Sequence, residues 1–170
     1  MWPPEKPPPY WIPPPIGQLK LNVDAACFST SNRTGIGAVL RDNKGAVVVA
    51  FTKRLASPFA PLVAETTAVR EGLRLMMANG LRAAYVETDC LVVSKAINND
   101  ISIPVIDSVI SDINSLLLEL GSGSCHYIPR AGNEVAHTLA QESITFIDDM
   151  SCLSDLLLFT SVHFAYVLML

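Results

Sequence analysis

The sequence has little charge, and the charge it has is not basic. Only 16% of its 170 residues are charged, and 12 Lys and Arg stand against 16 Asp and Glu. The net charge is -4 and the isoelectric point is near 5.3. A protein that binds nucleic acid by overall electrostatic attraction is basic, so this class is excluded. If the protein binds a nucleic acid, the positive charge for that contact must come from a local group of basic residues.

Two further absences limit the chemistry and the compartment. The four cysteines form no C-x-x-C pair and have no histidine at zinc-finger spacing, which excludes a structural zinc and a redox motif and predicts buried thiols. The N-terminus has no apolar stretch of the kind found in secretory signal peptides. We therefore expect no signal peptide and a nuclear or cytoplasmic location, since free thiols suit a reducing compartment.

Hydrophobic residues make up 50% of the chain, enough for the core of one globular domain. Eight of the 12 prolines lie in the first 15 residues, a composition that favours an extended polyproline conformation. This segment is either a ligand for an SH3 or WW-like partner or a clamp whose Trp2, Tyr10 and Trp11 lie on the fold. The predicted division is a Pro-rich N-terminal extension at 1–16 and a folded domain at 17–145.

An apolar C-terminal extension is predicted at 146–170. Its last part, 156–170, is shorter than the about 20 residues that span a bilayer, so we expect no stable membrane association. Three interpretations stay open for this part: an element packed on the domain, a marginal tail anchor, or an extension without selected structure.

From residue 19 onward the pattern predicts an α/β domain. Apolar and polar residues alternate over 19–26, and β-branched runs at 34–41 and 46–55 are joined by the turn sequence DNKG. Helical spacing and short strand-like runs then alternate, with Asn133 as the predicted cap of the last helix. Helices are predicted at 62–79, 91–98, 105–120 and 133–143, and further strands at 83–88 and 124–129. The order predicts a mixed five-stranded sheet flanked by helices, its first three strands antiparallel and the others parallel.

Three carboxylates occur on separate predicted elements. Asp24 lies in the middle of the first strand, Glu65 on the first helix and Asp89 at the end of the fourth strand. If the fourth strand lies parallel beside the first, the three meet at the switch point where open α/β sheets place their sites. Clustered carboxylates repel one another unless a cation neutralises them, and Mg²⁺ suits such oxygen ligands. Each acid also has an ordinary structural interpretation. Asp24 can be a solvent-facing strand residue, Glu65 a charge near the start of a helix, and Asp89 a helix cap.

The spacing of five strings resembles the ribonuclease H type 1 family, and within it the retroelement-related, reverse-transcriptase-like domains common in plants. The strings are KLNVDAA at 20–26, TGIGAVLRDNKG at 34–45, VAETTAVREGL at 63–73, YVETDCLVV at 85–93 and IPRAGNEVAHTLAQES at 128–143. The resemblance covers about residues 10–145. It implies a metal-dependent hydrolase that cleaves the RNA strand of RNA/DNA hybrids, and we expect a monomer.

The resemblance also assigns residues. It implies that Asp24, Glu65 and Asp89 are catalytic and hold two Mg²⁺ ions, or Mn²⁺, with His137 at the place of the family's fourth acid. One ion would activate the attacking water and the other would stabilise the leaving oxygen. Contacts with the nucleic acid, including the ribose 2′-OH, are expected from a separate set. That set comprises Ala25, Ala26, Cys27, Val63, Ala64, Arg130 and Asn133.

Three departures from the family pattern bear on activity. Imidazole is a poor Mg²⁺ ligand, so His137 predicts reduced activity with Mg²⁺ or a shifted metal preference, unless it is a plain helix residue. Ala25 stands where relatives carry Gly, and its methyl group is expected to crowd the sugar-phosphate backbone. The mobile loop histidine of some members is missing, because the loop is the short PRAG and His126 lies in a strand. Arg130 of that loop is either a phosphate contact or a solvated side chain. The alternative function is a nucleic-acid-binding or interaction module that keeps the fold without useful turnover.

Overall fold

A computed structural model describes residues 10–122, 124–145 and 150–153. Six strands form one sheet in the order β5-β4-β1-β2-β3-β6. The strands are β1 (Lys20–Phe28), β2 (Arg33–Arg41), β3 (Val47–Leu55), β4 (Tyr85–Thr88), β5 (Cys125–Tyr127) and β6 (Met150–Leu153). The helices are α1 (Pro61–Ala78), α2 (Leu91–Ile97), α3 (Asp107–Leu120) and α4 (Glu134–Glu142), and a 3-10 helix at Arg130–Gly132 precedes α4.

The predicted fold class is confirmed. Strands β1, β2 and β3 are antiparallel neighbours, while β4 pairs parallel with β1 and β5 pairs parallel with β4. The turn between β2 and β3 uses DNKG as expected, with Asp42 Oδ1 accepting hydrogen bonds from the backbone N–H groups of Lys44 and Ala46. The structure adds β6, which pairs antiparallel with β3 inside the range predicted to be an apolar extension. The predictions about Trp2 and about 156–170 concern residues outside those that the structure describes.

Helices cover both faces of the sheet, and two glycines allow them to come close. A Cβ atom at Gly72 of α1 would lie 2.7 Å from a methyl group of Val23 in β1. A Cβ atom at Gly37 of β2 would lie 2.2 Å from the Ala136 carbonyl oxygen in α4. Because β1 runs between α1 and α4, its side chains are buried on both faces.

The apolar core lies between the sheet and helices α1, α2 and α3. Leu21 and Val23 of β1 and Leu73 and Met76 of α1 are fully buried there, together with Ile113 of α3. Burial of this kind contributes about 1.5 to 3 kcal/mol for each large side chain and anchors α1 against β1. No helix in the described part of the chain has the length and apolar character needed to cross a bilayer.

The predicted burial of the cysteines holds only in part. Cys125 is buried and Cys90 is half-buried, but Cys27 is exposed. Cys27 is the eighth of the nine residues of β1, next to the end of the strand. Its Sγ lies 3.5 Å from the Phe59 carbonyl oxygen.

Candidate metal centre

The register of two parallel strands brings two acids together. In the pairing of β1 with β4, Val23 lies opposite Thr88, and the next residues along the two strands are Asp24 and Asp89. Asp24 is fully buried, because α4 and the neighbouring strands surround the middle of β1. The register therefore places Asp24, in the middle of β1, beside Asp89, which follows the last residue of β4.

Helix α1 supplies the third acid. Glu65 lies in its second turn, and the close contact of α1 with β1 at Gly72 places that turn over Asp24. Ligand oxygens of Asp24, Glu65 and Asp89 all lie within 4.8 Å of one another. The structure thus brings together the three carboxylates that the sequence singled out.

The carboxylates perturb one another strongly. Burial and, after it, the charges of Asp24 and Asp89 raise the pKa of Glu65 to about 9. Burial also raises the pKa of Asp24, Asp89 adds to this, and the hydrogen bond with His137 opposes it. Asp24 Oδ1 and Glu65 Oε2 are buried and have no hydrogen-bond partner among the described residues. Buried oxygens without a donor are rare, and here they fit a hard divalent cation.

The side chains of His137 and Arg130 lie next to the three acids. His137 of α4 places its Nδ1 2.7 Å from Asp24 Oδ2. Arg130 of the 3-10 helix forms an ion pair through its Nε with Asp89 Oδ2, and its Nη1 lies 2.7 Å from His137 Nδ1. Burial acts to lower the pKa of Arg130, but the carboxylates of Asp89 and Asp24 outweigh burial and raise the pKa. His137 Nδ1 cannot donate to Asp24 and accept from Arg130 at once, so only one of the two contacts is a hydrogen bond at a time.

The residues expected to contact nucleic acid lie at different depths. Arg130 and Cys27 are exposed, Ala25 and Val63 are half-buried, and Ala26 and Ala64 are buried. The methyl group of Ala25 packs against the apolar core. Ala26 and Ala64 are buried, and the backbone N–H of Ala64 donates to the Ala60 carbonyl oxygen, so these two residues are not placed for the expected contact.

Asn133 differs from both of its predicted roles. It precedes α4 at the cap position, but its side chain makes no capping hydrogen bond. It is fully buried, and its Nδ2 donates to the Val23 carbonyl oxygen at 2.8 Å, so it is not placed to contact a nucleic acid. The interior of the sheet offers Asn133 a buried acceptor, and this interaction replaces the local cap.

Sequence reasoning missed a group of polar residues next to the acids. Lys20 and Asn22 alternate with apolar residues in β1, and both are buried, as is Glu87 of β4. Lys20 Nζ lies 2.7 Å from Glu87 Oε1. The signal that could have found them is the predicted sheet itself, since helices on both faces leave no solvent-facing side for a central strand.

The comparisons with known proteins agree with this architecture. The model of the reverse transcriptase-like family matches residues 22–143. No curated protein matches the sequence at a significant level. Among solved structures, the ribonuclease H1 of Halobacterium salinarum NRC-1 is similar with a TM-score of 0.69 and 22% identity, over 76% of this chain and 98% of that chain.

Two further solved structures have the same fold. The N-terminal ribonuclease H domain of rv2228c from Mycobacterium tuberculosis gives a TM-score of 0.66 at 19% identity, over 75% of this chain and 94% of that chain. LC11-RNase H1, isolated from compost by a metagenomic approach and solved in complex with an RNA/DNA hybrid, gives 0.65 at 21% identity, over 75% and 97%. The chain therefore belongs to the reverse transcriptase-like family and has the ribonuclease H fold.

Proposed function

We propose that this protein hydrolyses the RNA strand of RNA/DNA hybrids with divalent metal ions held by Asp24, Glu65 and Asp89. The observation that carries the proposal is the approach of these three carboxylates, with their ligand oxygens within 4.8 Å of one another. Holding one buried and two half-buried acids this close together costs free energy unless a cation neutralises them, so a purely structural role gives no reason for the arrangement. The hybrid bound by LC11-RNase H1, a protein of the same fold, supports the choice of substrate.

The chain's own residues have separate tasks in this proposal. Asp24, Glu65 and Asp89 bind Mg²⁺ or Mn²⁺, and such ions, when bound, activate water and stabilise a leaving 3′-oxygen. His137 holds Asp24 Oδ2, which leaves Asp24 Oδ1 free to bind. Arg130 is exposed at the rim, where its guanidinium can leave Asp89 for a phosphate of the substrate.

The test is cleavage of a labelled RNA/DNA hybrid by the full chain in Mg²⁺ and, separately, in Mn²⁺. Asp24→Asn removes a ligand charge at constant size. Asp100→Asn is the matched control, because Asp100 is an exposed acid in the loop between α2 and α3 and does not belong to the acidic cluster of Asp24, Glu65 and Asp89. Duplex DNA of the same sequence tests whether the ribose hydroxyl is required.

We expect the wild type and Asp100→Asn to cleave the hybrid and spare the DNA duplex, and Asp24→Asn to fall to background. We also expect His137→Asp to cleave faster than the wild type in Mg²⁺, because a fourth carboxylate is a better ligand for this hard cation than imidazole. Cleavage that persists in Asp24→Asn would refute the assignment of the metal ligands.

A second candidate function is hybrid binding without turnover. The observation that favours it is the occupation of the acids by the chain's own side chains, since Arg130 pairs with Asp89 and His137 contacts Asp24. An internal cation neutralises part of the negative charge that would otherwise attract a metal ion. Hybrid binding by fluorescence anisotropy, with no cleavage in either metal and none gained in His137→Asp, would favour this function.

A further inference from the structure

Behind the acidic cluster lies a second group of polar side chains, which we call the polar network. Its members are Lys20 and Asn22 of β1, Arg41 at the end of β2, Glu87 of β4 and Asn133 before α4. Asn22 and Asn133 are fully buried, and Lys20 and Glu87 are buried. Because buried polar groups are costly when unpaired, the pattern of their hydrogen bonds fixes how these elements sit together.

Asn22 is the centre of the polar network. Its Nδ2 donates to Glu87 Oε2 at 2.9 Å and to Asn133 Oδ1 at 3.1 Å. Its Oδ1 accepts from Arg41 Nη2 at 3.1 Å. Every partner of this amide is on a different element, so Asn22 ties β1 to β2, to β4 and to the start of α4.

The polar network reaches the acidic cluster through Asn133. The side chain of Asn133 donates to the carbonyl of Val23, the residue immediately before Asp24. The backbone carbonyl of Asn133 accepts from the backbone N–H of His137 at 3.0 Å, in the first turn of α4. The Asn133 side chain therefore fixes the start of α4 on β1, and the first turn of α4 leads to His137, which contacts Asp24.

Residues 10–14 cover the outer side of the polar network. The ring of Trp11 lies 3.8 Å from the guanidinium carbon of Arg41, and the Ile12 carbonyl accepts from Lys20 Nζ at 2.8 Å. The Tyr10 backbone lies against the 3-10 helix, where a Cβ atom on Gly132 would be 3.2 Å from the Tyr10 carbonyl carbon. Burial lowers the pKa of Arg41 to about 10, so the guanidinium stays charged at neutral pH and its contact with the ring is a cation–π interaction.

The ring face of Trp11 provides this contact, and its N–H group does not. Trp11 Nε1 is buried and has no hydrogen-bond partner among the described residues. Phenylalanine has the same kind of face and no N–H group to bury, so it can replace tryptophan here. An aliphatic residue offers no π surface to the guanidinium.

We propose that residues 10–14, through Trp11 and the polar network, position α4 so that His137 is held against Asp24. Trp11, Asn22 and Asn133 are positioning residues in this proposal, and they touch neither metal nor substrate. The effect on metal binding rests on the proposed function. The effect on His137 does not, because it follows from the hydrogen bonds of the protein alone.

The experiment uses the full chain and two readouts. The first is the ¹H–¹³C spectrum of the histidine rings at one fixed pH, in which the His137 peak is identified by its loss in His137→Gln. The second is Mn²⁺ affinity by isothermal titration calorimetry. The variants are Trp11→Ala, Trp11→Phe and Asn133→Ala, and Ile113→Val is the control. Ile113 is fully buried in α3, so its substitution lowers stability without touching the polar network.

We expect Trp11→Ala and Asn133→Ala to shift or broaden the His137 peak and to weaken Mn²⁺ binding by about ten-fold, as loss of a group that orients metal ligands does. Trp11→Phe should match the wild type in both readouts, and so should Ile113→Val. If Trp11→Ala does not fold, Trp11→Leu takes its place, since it keeps an apolar cover without the aromatic face.

Two results would overturn the positioning role. One is a His137 peak that stays unchanged in Asn133→Ala and in the folded Trp11 variant. The other is an equal shift in Ile113→Val, which would mean that any loss of stability moves the peak. A wild type that binds no Mn²⁺, with a His137 peak that still moves in Trp11→Ala, would support the positioning role and refute the proposed function. If the wild type binds Mn²⁺ and no variant alters either this binding or the His137 peak, the result would support metal binding and refute the positioning role.

Discussion

Replacing Glu65 with glutamine is expected to stabilise the metal-free protein at neutral and alkaline pH. Burial and the neighbouring acids raise the pKa of Glu65 from 4.5 to about 9. Between these values the unfolded chain has lost the proton and the folded chain keeps it. The folded state then binds more protons than the unfolded state, so the free energy of unfolding falls as the pH rises.

The magnitude follows from the same two values. Each pH unit between them costs the folded state about 1.4 kcal/mol for one group, which sets an upper limit of about 3.5 kcal/mol at pH 7 and about 5 kcal/mol at pH 8. Because Glu65 is only half-buried, screening by solvent reduces the effect below this limit. Glutamine keeps the size of the side chain and carries no charge at any pH. We therefore expect Glu65→Gln to exceed the wild type by about 1 to 3 kcal/mol at pH 8 and to match it near pH 4.5.

The assay is urea unfolding at pH 5, 6.5 and 8 with a chelator present, repeated with saturating Mn²⁺. The difference between wild type and Glu65→Gln cancels the contribution of titrating groups far from the acidic cluster, and what remains is the effect of Glu65 together with its interactions with Asp24 and Asp89. Mn²⁺ should stabilise the wild type more than the variant, because a ligand that binds only the folded state raises its stability by mass action. A difference that does not change with pH, or a variant that is less stable at pH 8, would refute the reasoning.

Three further predictions concern single contacts. Arg130→Gln should raise Mn²⁺ affinity by about two- to five-fold in calorimetry, because a half-exposed ion pair with Asp89 is removed; an unchanged affinity would mean that Arg130 does not compete for the site. Gly37→Ala should lower the free energy of urea unfolding by more than about 2 kcal/mol, because its Cβ atom would lie 2.2 Å from a backbone carbonyl oxygen of α4. Lys20→Met should cost about 3 kcal/mol or more in the same assay, because it leaves the buried Glu87 carboxylate without its cation; a variant as stable as the wild type would contradict this.

The sequence predicted the fold well because its periodic patterns are strong. Alternation in β1 and the DNKG turn specify the antiparallel strands, and the glycines at 80 and 121 end α1 and α3 with positive φ values of 65° and 72°. β6 was not predicted, since Met150–Leu153 is a short stretch of four residues, with acidic residues at 149 and 155, that is too short to show a periodic pattern. Its partner, β3, decides the structure, and a partner distant in sequence is not visible in the local pattern.

The acidic cluster was predicted, but its surroundings were not. Asp24, Glu65 and Asp89 were found because a family resemblance and the parallel register agree. The interior position of Asn133 could not be found in this way, because a residue of this type before a helix is usually its cap. Its actual partners, Asn22 and Val23, are more than 100 residues away in sequence. The pairing of Arg130 with Asp89 is likewise a contact between the 3-10 helix and the bend after β4, and a periodic pattern in the sequence does not reveal such a contact.

The position of β6 also affects how readily the edge of the sheet can pair with a strand of another chain. Without it, the nine-residue strand β3 would present a row of free backbone groups, the kind of edge on which proteins join strand to strand and aggregate. With β6 paired to Val49–Thr52, the described sheet ends in a strand of four residues on one side and in β5, of three residues, on the other. Edges this short give a second chain few backbone hydrogen bonds. Removing residues 150–153 should therefore make the protein more prone to self-association through β3.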